Sequence, residues 1–211
     1  MKELIIVGGG GMGRSVYCIA KGCYGYETEF VIKGFIDDNI HSIDGFEGYP
    51  PVLGTIRDYQ IQPNDVFVCS IGNTKTKKFV CELLISKGAR FQSLIHKTAI
   101  IRQNSIIGDG SIVADYASVG ADCKIGENTL VQSYSICAHD CIIGNYVRID
   151  THAVCVGGVI IEDLATIHTG AVISHKVVVG EGATVAATSF VIRKVKPGIT
   201  VQGNPATKVD F

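Results

Sequence analysis

From Ile101 onward the chain repeats apolar and small residues every six positions. Written in sixes it reads IRQNSI, IGDGSI, VADYAS, VGADCK, IGENTL, VQSYSI, CAHDCI, IGNYVR, IDTHAV, CVGGVI, IEDLAT, IHTGAV, ISHKVV, VGEGAT, VAATSF, VIRKVK. The first position is Ile or Val in fourteen of the sixteen hexads and Cys in the other two, and the fifth is always Ser, Ala, Thr, Cys or Val. An apolar branched side chain every six residues, with a small one four further on, tiles one flat strand and turns a corner. Three such sides close a triangular coil of about eighteen residues, stacked on the next at a strand spacing of about 4.8 Å. One repeat cannot bury its inward face alone, so the pattern predicts a stack of coils.

Residues 1–95 follow another pattern. Leu4 to Val7 is a short apolar strand, followed by the loop Gly8 to Gly13 and a helix from Arg14 to Lys21 that Gly22 can end. A second strand, Phe30 to Ile36, runs into Asp37 and Asp38; a third, Val66 to Ile71, leads to Gly72, Asn73 and a helix over 75–87. Strands alternating with helices predict a small parallel α/β sheet. The chain thus divides into a Rossmann-like domain over 1–95 and a β-helix over 96–211.

Composition narrows the partners. Charged residues are 18% of the chain, hydrophobic ones 46%, and the formal net charge is -1, which gives no footing for nucleic acid or an anionic membrane. The apolar runs are too short to span a bilayer, and Met1-Lys2-Glu3 leads straight into a strand, so a cytoplasmic protein is expected. The eight cysteines include no CxxC pair, and Cys123, Cys137, Cys141 and Cys155 fall at inward repeat positions. They read as reduced core thiols, with no metal site.

The hexads resemble the bacterial hexapeptide-repeat acyltransferases, which implies a left-handed parallel β-helix, an exception to the usual right-handed crossover. The tail from Pro197 to Ala206 is similar to that family's closing segment, whose Gly-x-Pro-Ala element lies near the acyl-CoA and includes Pro205 here. Other segments narrow the resemblance: Val7 to Arg14, Gly34 to Asp38, Ser70 to Asn73, Leu94 to Ala99 and Ala138 to Gly144. In this order they look like the nucleotide-sugar acyltransferases, among them the bacillosamine and perosamine N-acetyltransferases and the sialic-acid O-acetyltransferases. The resemblance implies surface-glycan chemistry: acetyl-CoA as acyl donor, a nucleotide-sugar held by the first domain, and a homotrimer with active sites between subunits.

Acyl transfer from a thioester needs a base for the attacking group's proton and donors for the developing oxyanion. His139 is the candidate base, and Asp140 would fix its tautomer. Adjacent residues on a regular strand point to opposite faces, so the pair requires a corner of the coil to re-aim one of them. The branch commonly carries a second histidine nine residues later, where this chain has Arg148. His152 would replace that histidine or line the same face, Gln132 stands where relatives often have asparagine, and Met12 replaces a loop histidine. His175 lies two coils beyond His139 with Gly157 between them, either for a pantetheine arm or as a spacer in a tight corner. The resemblance adds Ala186 to this acyl-CoA set.

In the first domain Gly8, Gly10 and Gly13 satisfy G-x-G-x-x-G between a strand and a helix, with Gly11 beside them. Backbone N–H groups there bind phosphate, and Asp37 or Asp38 can grip a ribose or base. Asn73 and Lys77 would face the same crevice or solvent. Three other readings stay open: transfer to a sugar hydroxyl such as that of sialic acid, a nucleotide-sugar-binding scaffold without catalysis, and a zinc carbonic anhydrase on the same helix. The last needs three histidines, but His139, His152, His168 and His175 include no His-x4-His pair.

Overall fold

The computed structural model describes residues 1–209, which fall into two compact units divided between Lys97 and Thr98. The first unit is a three-stranded parallel sheet in the order β2–β1–β3, formed by β1 (Lys2–Val7), β2 (Phe30–Ile36) and β3 (Asp65–Cys69). Helix α1 (Gly11–Lys21) follows β1, and α2 (Thr74–Ser86) follows β3. Leu4, Ile5, Ile6 and Val7 are fully buried. That suits a strand paired on both edges and covered on both faces.

The first helix starts three residues earlier than the pattern predicts, so Gly11, Met12 and Gly13 are its first turn and not loop. The reason is a close approach. A Cβ on Gly13 would fall well inside contact of the Gly8 carbonyl oxygen, so only glycine lets the helix begin here.

The second unit is a left-handed parallel β-helix, as the hexads imply. Its strands are two residues long and pair with those eighteen residues away, on three faces. The first face pairs Leu130 with Arg148, Thr166 and Thr184 in succession. The second pairs Ile136, Val154, Val172 and Phe190, and the third pairs Ile142, Ile160 and Val178. First and fifth hexad positions form the continuous core, including the four inward cysteines at 0% exposure. The fourth position makes the corner. From Asn104 to Thr188 every fourth residue of a hexad has φ between 52° and 72°, whether or not it is glycine. The unit closes with Thr200–Gly203, which pairs with Thr184–Val185 and turns through Asn204–Pro205 into antiparallel Ala206–Val209. Among the described residues no helix is long and apolar enough to cross a membrane.

Candidate active site

His139 sits at a corner between the second and third faces. The coil holds this corner by its backbone: Ala138 donates to the Cys155 carbonyl at 2.8 Å and Asp140 to that of Ala121 at 3.0 Å. Asp140 occupies the fourth hexad position with φ 59°. That left-handed residue breaks the strand alternation and brings its carboxylate beside the preceding ring. His139 Nδ1 lies 2.6 Å from Asp140 Oδ2, and both side chains are 63% exposed. With the carboxylate accepting, the proton of a neutral ring sits on Nδ1 and the lone pair on Nε2.

Gly157 is one coil beyond His139, and the space it opens is filled by the His139 ring. A Cβ at Gly157 would stand 2.5 Å from both Nε2 and Cε1 of the imidazole. The Gly158 amide donates to the His139 carbonyl at 2.9 Å and the Lys176 amide to that of Gly157 at 3.1 Å, so positions 139, 157 and 175 form one column. His175 is therefore on the His139 edge.

Arg148 and His152 are not on that edge. Arg148 lies on the first face, where its Nε and Nη2 donate to Asp150 Oδ1 and Oδ2 at 2.6 and 3.0 Å. Gln132 Nε2 donates to the same carboxylate at 2.6 Å, and Gln132 Oε1 accepts from the Thr151 hydroxyl at 3.2 Å. His168 Nδ1 completes the group at 3.0 Å from Asp150 Oδ2. The sequence alone suggests no role for Asp150 and, for His168, only that of a zinc ligand, although Gln132, Asp150 and His168 share the second hexad position at eighteen-residue spacing. His152 lies at the corner between the first and second faces, where its ring stacks on Tyr134 at 5.2 Å and 18°. Tyr134 in turn stacks on Tyr116 at 5.1 Å and 14°. Ala186 is one coil beyond His168 in the same row, and Pro205 is exposed in the closing turn.

In the first unit the glycine loop is held by Asp37, which follows β2. Asp37 accepts from the Gly9 amide at 2.7 Å and the Asn39 amide at 2.8 Å, and Asp38 accepts from Ile56 at 3.0 Å. Gly10 caps α1 without a side-chain bond, so the first-turn amides of Gly11, Met12 and Gly13 face the loop. The Arg14 guanidinium lies 3.6 Å over the Phe46 ring. Asn73 is exposed and caps α2, accepting from the Thr76 amide at 2.9 Å. Lys77 is neither solvated nor a surface group, being only 2% exposed.

All eight cysteines are free thiols, and all but Cys18 are buried. Burial pushes the Cys141 thiol up to about 12, and Cys137 is raised by its hydrogen bond with Cys155 and by burial, as suits packing groups. Among the described residues no three His, Cys, Asp or Glu side chains are grouped to hold a metal ion.

Residues 3–84 match the PglD N-terminal domain family. The acetyltransferase domain of PglB from Neisseria gonorrhoeae, solved in complex with acetyl coenzyme A, is 28% identical, with a TM-score of 0.87 over 99% of both chains. Both units resemble the nucleotide-sugar N-acetyltransferases. Within that branch, a UDP-N-acetylbacillosamine N-acetyltransferase of Bacillus subtilis is 28% identical over 117 residues, 54% of this chain. The match spans about half, 51%, of that curated relative's length. PerB from Caulobacter crescentus, solved with CoA and GDP-perosamine, shares the fold at a TM-score of 0.90 and 21% identity, covering 100% of this chain and 98% of its own.

Proposed function

We propose that the protein is an acetyl-CoA-dependent acyltransferase that acetylates the amino group of a nucleotide-linked amino sugar, with His139 as general base. The observation that carries this reading is the His139–Asp140 pair, formed at an exposed corner of a β-helix whose relative at 28% identity is an acetyltransferase domain solved with acetyl coenzyme A. His139 Nε2 takes the proton as the sugar amine attacks the thioester carbonyl. Asp140 then faces an imidazolium and stabilises it. Collapse of the tetrahedral adduct breaks the carbon–sulfur bond, and His139 returns the proton to the departing CoA thiolate.

The first unit takes the nucleotide-sugar, its diphosphate against the amides of Gly10, Gly11, Met12 and Gly13 at the start of α1, while Gly8, whose amide donates to the Ile36 carbonyl at 2.8 Å, shapes the loop before them. In this reading Asp37, Asp38 and Asn73 contact the nucleotide-sugar, and the acyl donor follows Gly157, His175, Ala186 and Pro205. Arg148 and His152 belong to the substrate side of a homotrimer in which neighbouring chains complete each site. The outward row Ile136, Val154, Val172 and Phe190 on the second face gives such an assembly an apolar surface, Ile136 being 41% exposed. The cytoplasm keeps the buried thiols reduced.

Thiol release from acetyl-CoA, measured with UDP-, GDP- and dTDP-linked amino sugars and with sialic acid, tests the reading. Turnover with one amino sugar, a hydroxylamine-stable amide product, a rate at least 100-fold lower in His139→Ala and a trimeric mass by light scattering are expected, the factor being on the order of general-base catalysis. A hydroxylamine-labile product would assign O-acetylation. Tight nucleotide-sugar binding with no thiol release from any acceptor would leave the scaffold reading.

A further inference from the structure

Beside the column of His139, Gly157 and His175 runs a second one at the same corner: Asp140, Gly158 and Lys176. The consecutive glycines leave the corner without side chains for one coil, and neighbouring coils fill the space from both sides. From the coil before, the His139 ring lies where a Cβ on Gly157 would stand. From the coil after, Lys176 lies along Gly158, its Cγ 3.1 Å and its Cε 3.9 Å from where a Cβ would stand. The two side chains thus rest on residues whose Cα atoms are about 3.8 Å apart across one peptide bond. Either glycine with a side chain would push its occupant away.

The fold itself gives lysine no advantage at this position. Lys176 is exposed and has φ 56°, a conformation that glycine, asparagine or aspartate enters more easily. Among the described residues its ammonium has no ion-pair or hydrogen-bond partner, and Asp140 in its column is committed to His139 Nδ1 at 2.6 Å. The reaction supplies a use for such a cation. When the amine nitrogen bonds to the thioester carbon, the carbonyl electron pair moves to oxygen and a full negative charge develops beside the base. His139 accounts for the proton but not for this charge. Arg148, the other cation assigned to the substrate side, has Nε and Nη2 on Asp150 and lies on the first face. A donor already placed where charge develops is the effective kind, because it need not reorganise during the reaction.

We propose that Lys176 is a catalytic residue, its ammonium donating a hydrogen bond to the oxyanion of the tetrahedral adduct formed at His139. The proposal rests on the acyltransferase reading above. Lys176 keeps its protons throughout: the oxygen's electron pair re-forms the carbonyl as the carbon–sulfur bond breaks, and the sulfur leaves with the bonding pair. Steady-state thiol release and calorimetric titration with CoA, on wild type, Lys176→Met and Lys176→Arg, test it. Both replacements are long and unbranched at Cβ, so any cost of the left-handed corner is common to the two. Lys176→Met lowers kcat about 100-fold, the scale of losing one oxyanion donor, while CoA affinity stays within about threefold and the melting temperature is unchanged. Lys176→Arg keeps the charge and recovers about tenfold of that loss, which a purely structural role would not require. A kcat in Lys176→Met within about threefold of wild type overturns the proposal, as does an equal loss in both variants. A loss that falls on CoA affinity instead also overturns it, by placing the ammonium on a phosphate of the donor. Wild type that releases no thiol with any acceptor would remove the acyltransferase reading, and this proposal with it.

Discussion

The glycine loop of the first unit and the His139 corner of the second each depend on a glycine that has no room for a side chain, but the obstacle differs. At Gly13 it is a backbone carbonyl, that of Gly8; at Gly157 it is the imidazole of His139. A backbone atom cannot move without moving the elements that carry it, whereas a ring at an exposed corner can rotate away. The first glycine is therefore a requirement of the fold. The second is a requirement of where the ring points, and a sequence pattern alone does not distinguish them.

The contrast is open to direct attack. Gly13→Ala should cost about 3 kcal/mol, at the upper end of overpacking penalties. In urea unfolding of the full chain an early transition should move to lower denaturant and a later one should stay in place; no early shift would mean the loop accommodates a methyl group. Gly157→Ala should leave both transitions unchanged and lower kcat about 100-fold, the scale of misplacing a reacting group by about 1 Å. Wild-type turnover in that variant would show that the ring works from another rotamer. Asp140→Asn should have the smallest effect, about tenfold on kcat with an unchanged melting temperature. Asparagine tolerates the left-handed corner and can still accept from Nδ1, but it carries no charge to face the imidazolium. An equal loss in Asp140→Asn and Asp140→Ala would make the carboxylate's charge the whole of its contribution.

What could be read from the sequence follows the same division. The β-helix was legible because burial repeats: Ile or Val at one position and a small residue four later leave few other solutions. The corner that makes His139 and Asp140 neighbours is required by their adjacency but not located by the inward rows alone, yet the sequence held a signal. The fourth hexad position carries Gly, Asn or Asp at eight of the fifteen corners with positive φ, the residues that enter left-handed conformation most easily. Tyr116, Tyr134, Tyr146 and His152 mask that signal, because the closed coil imposes the conformation on residues that do not favour it. The Asp150 cluster escaped for another reason. Its members span 36 residues of chain, and apart from Arg148 and Asp150, two residues apart, they meet only when the eighteen-residue register is applied across coils. In the first unit the strand ends and the second helix were placed to within two residues, while the onset of α1 was missed because glycine is a poor helix former whose use here is steric.

The uninterrupted register also constrains how this protein can change over generations. Every side chain from 101 to 196 owes its orientation to the count of residues before it. Loss of one codon anywhere in that stretch would turn the inward rows of all later coils toward solvent. Substitution is therefore the permitted currency along the strands, and length variation is confined to excursions at the corners or to the gain and loss of a whole eighteen-residue coil. A lineage can rewrite one rung of the first face, exchanging the side chain at Arg148 for another, without disturbing the rungs above and below it.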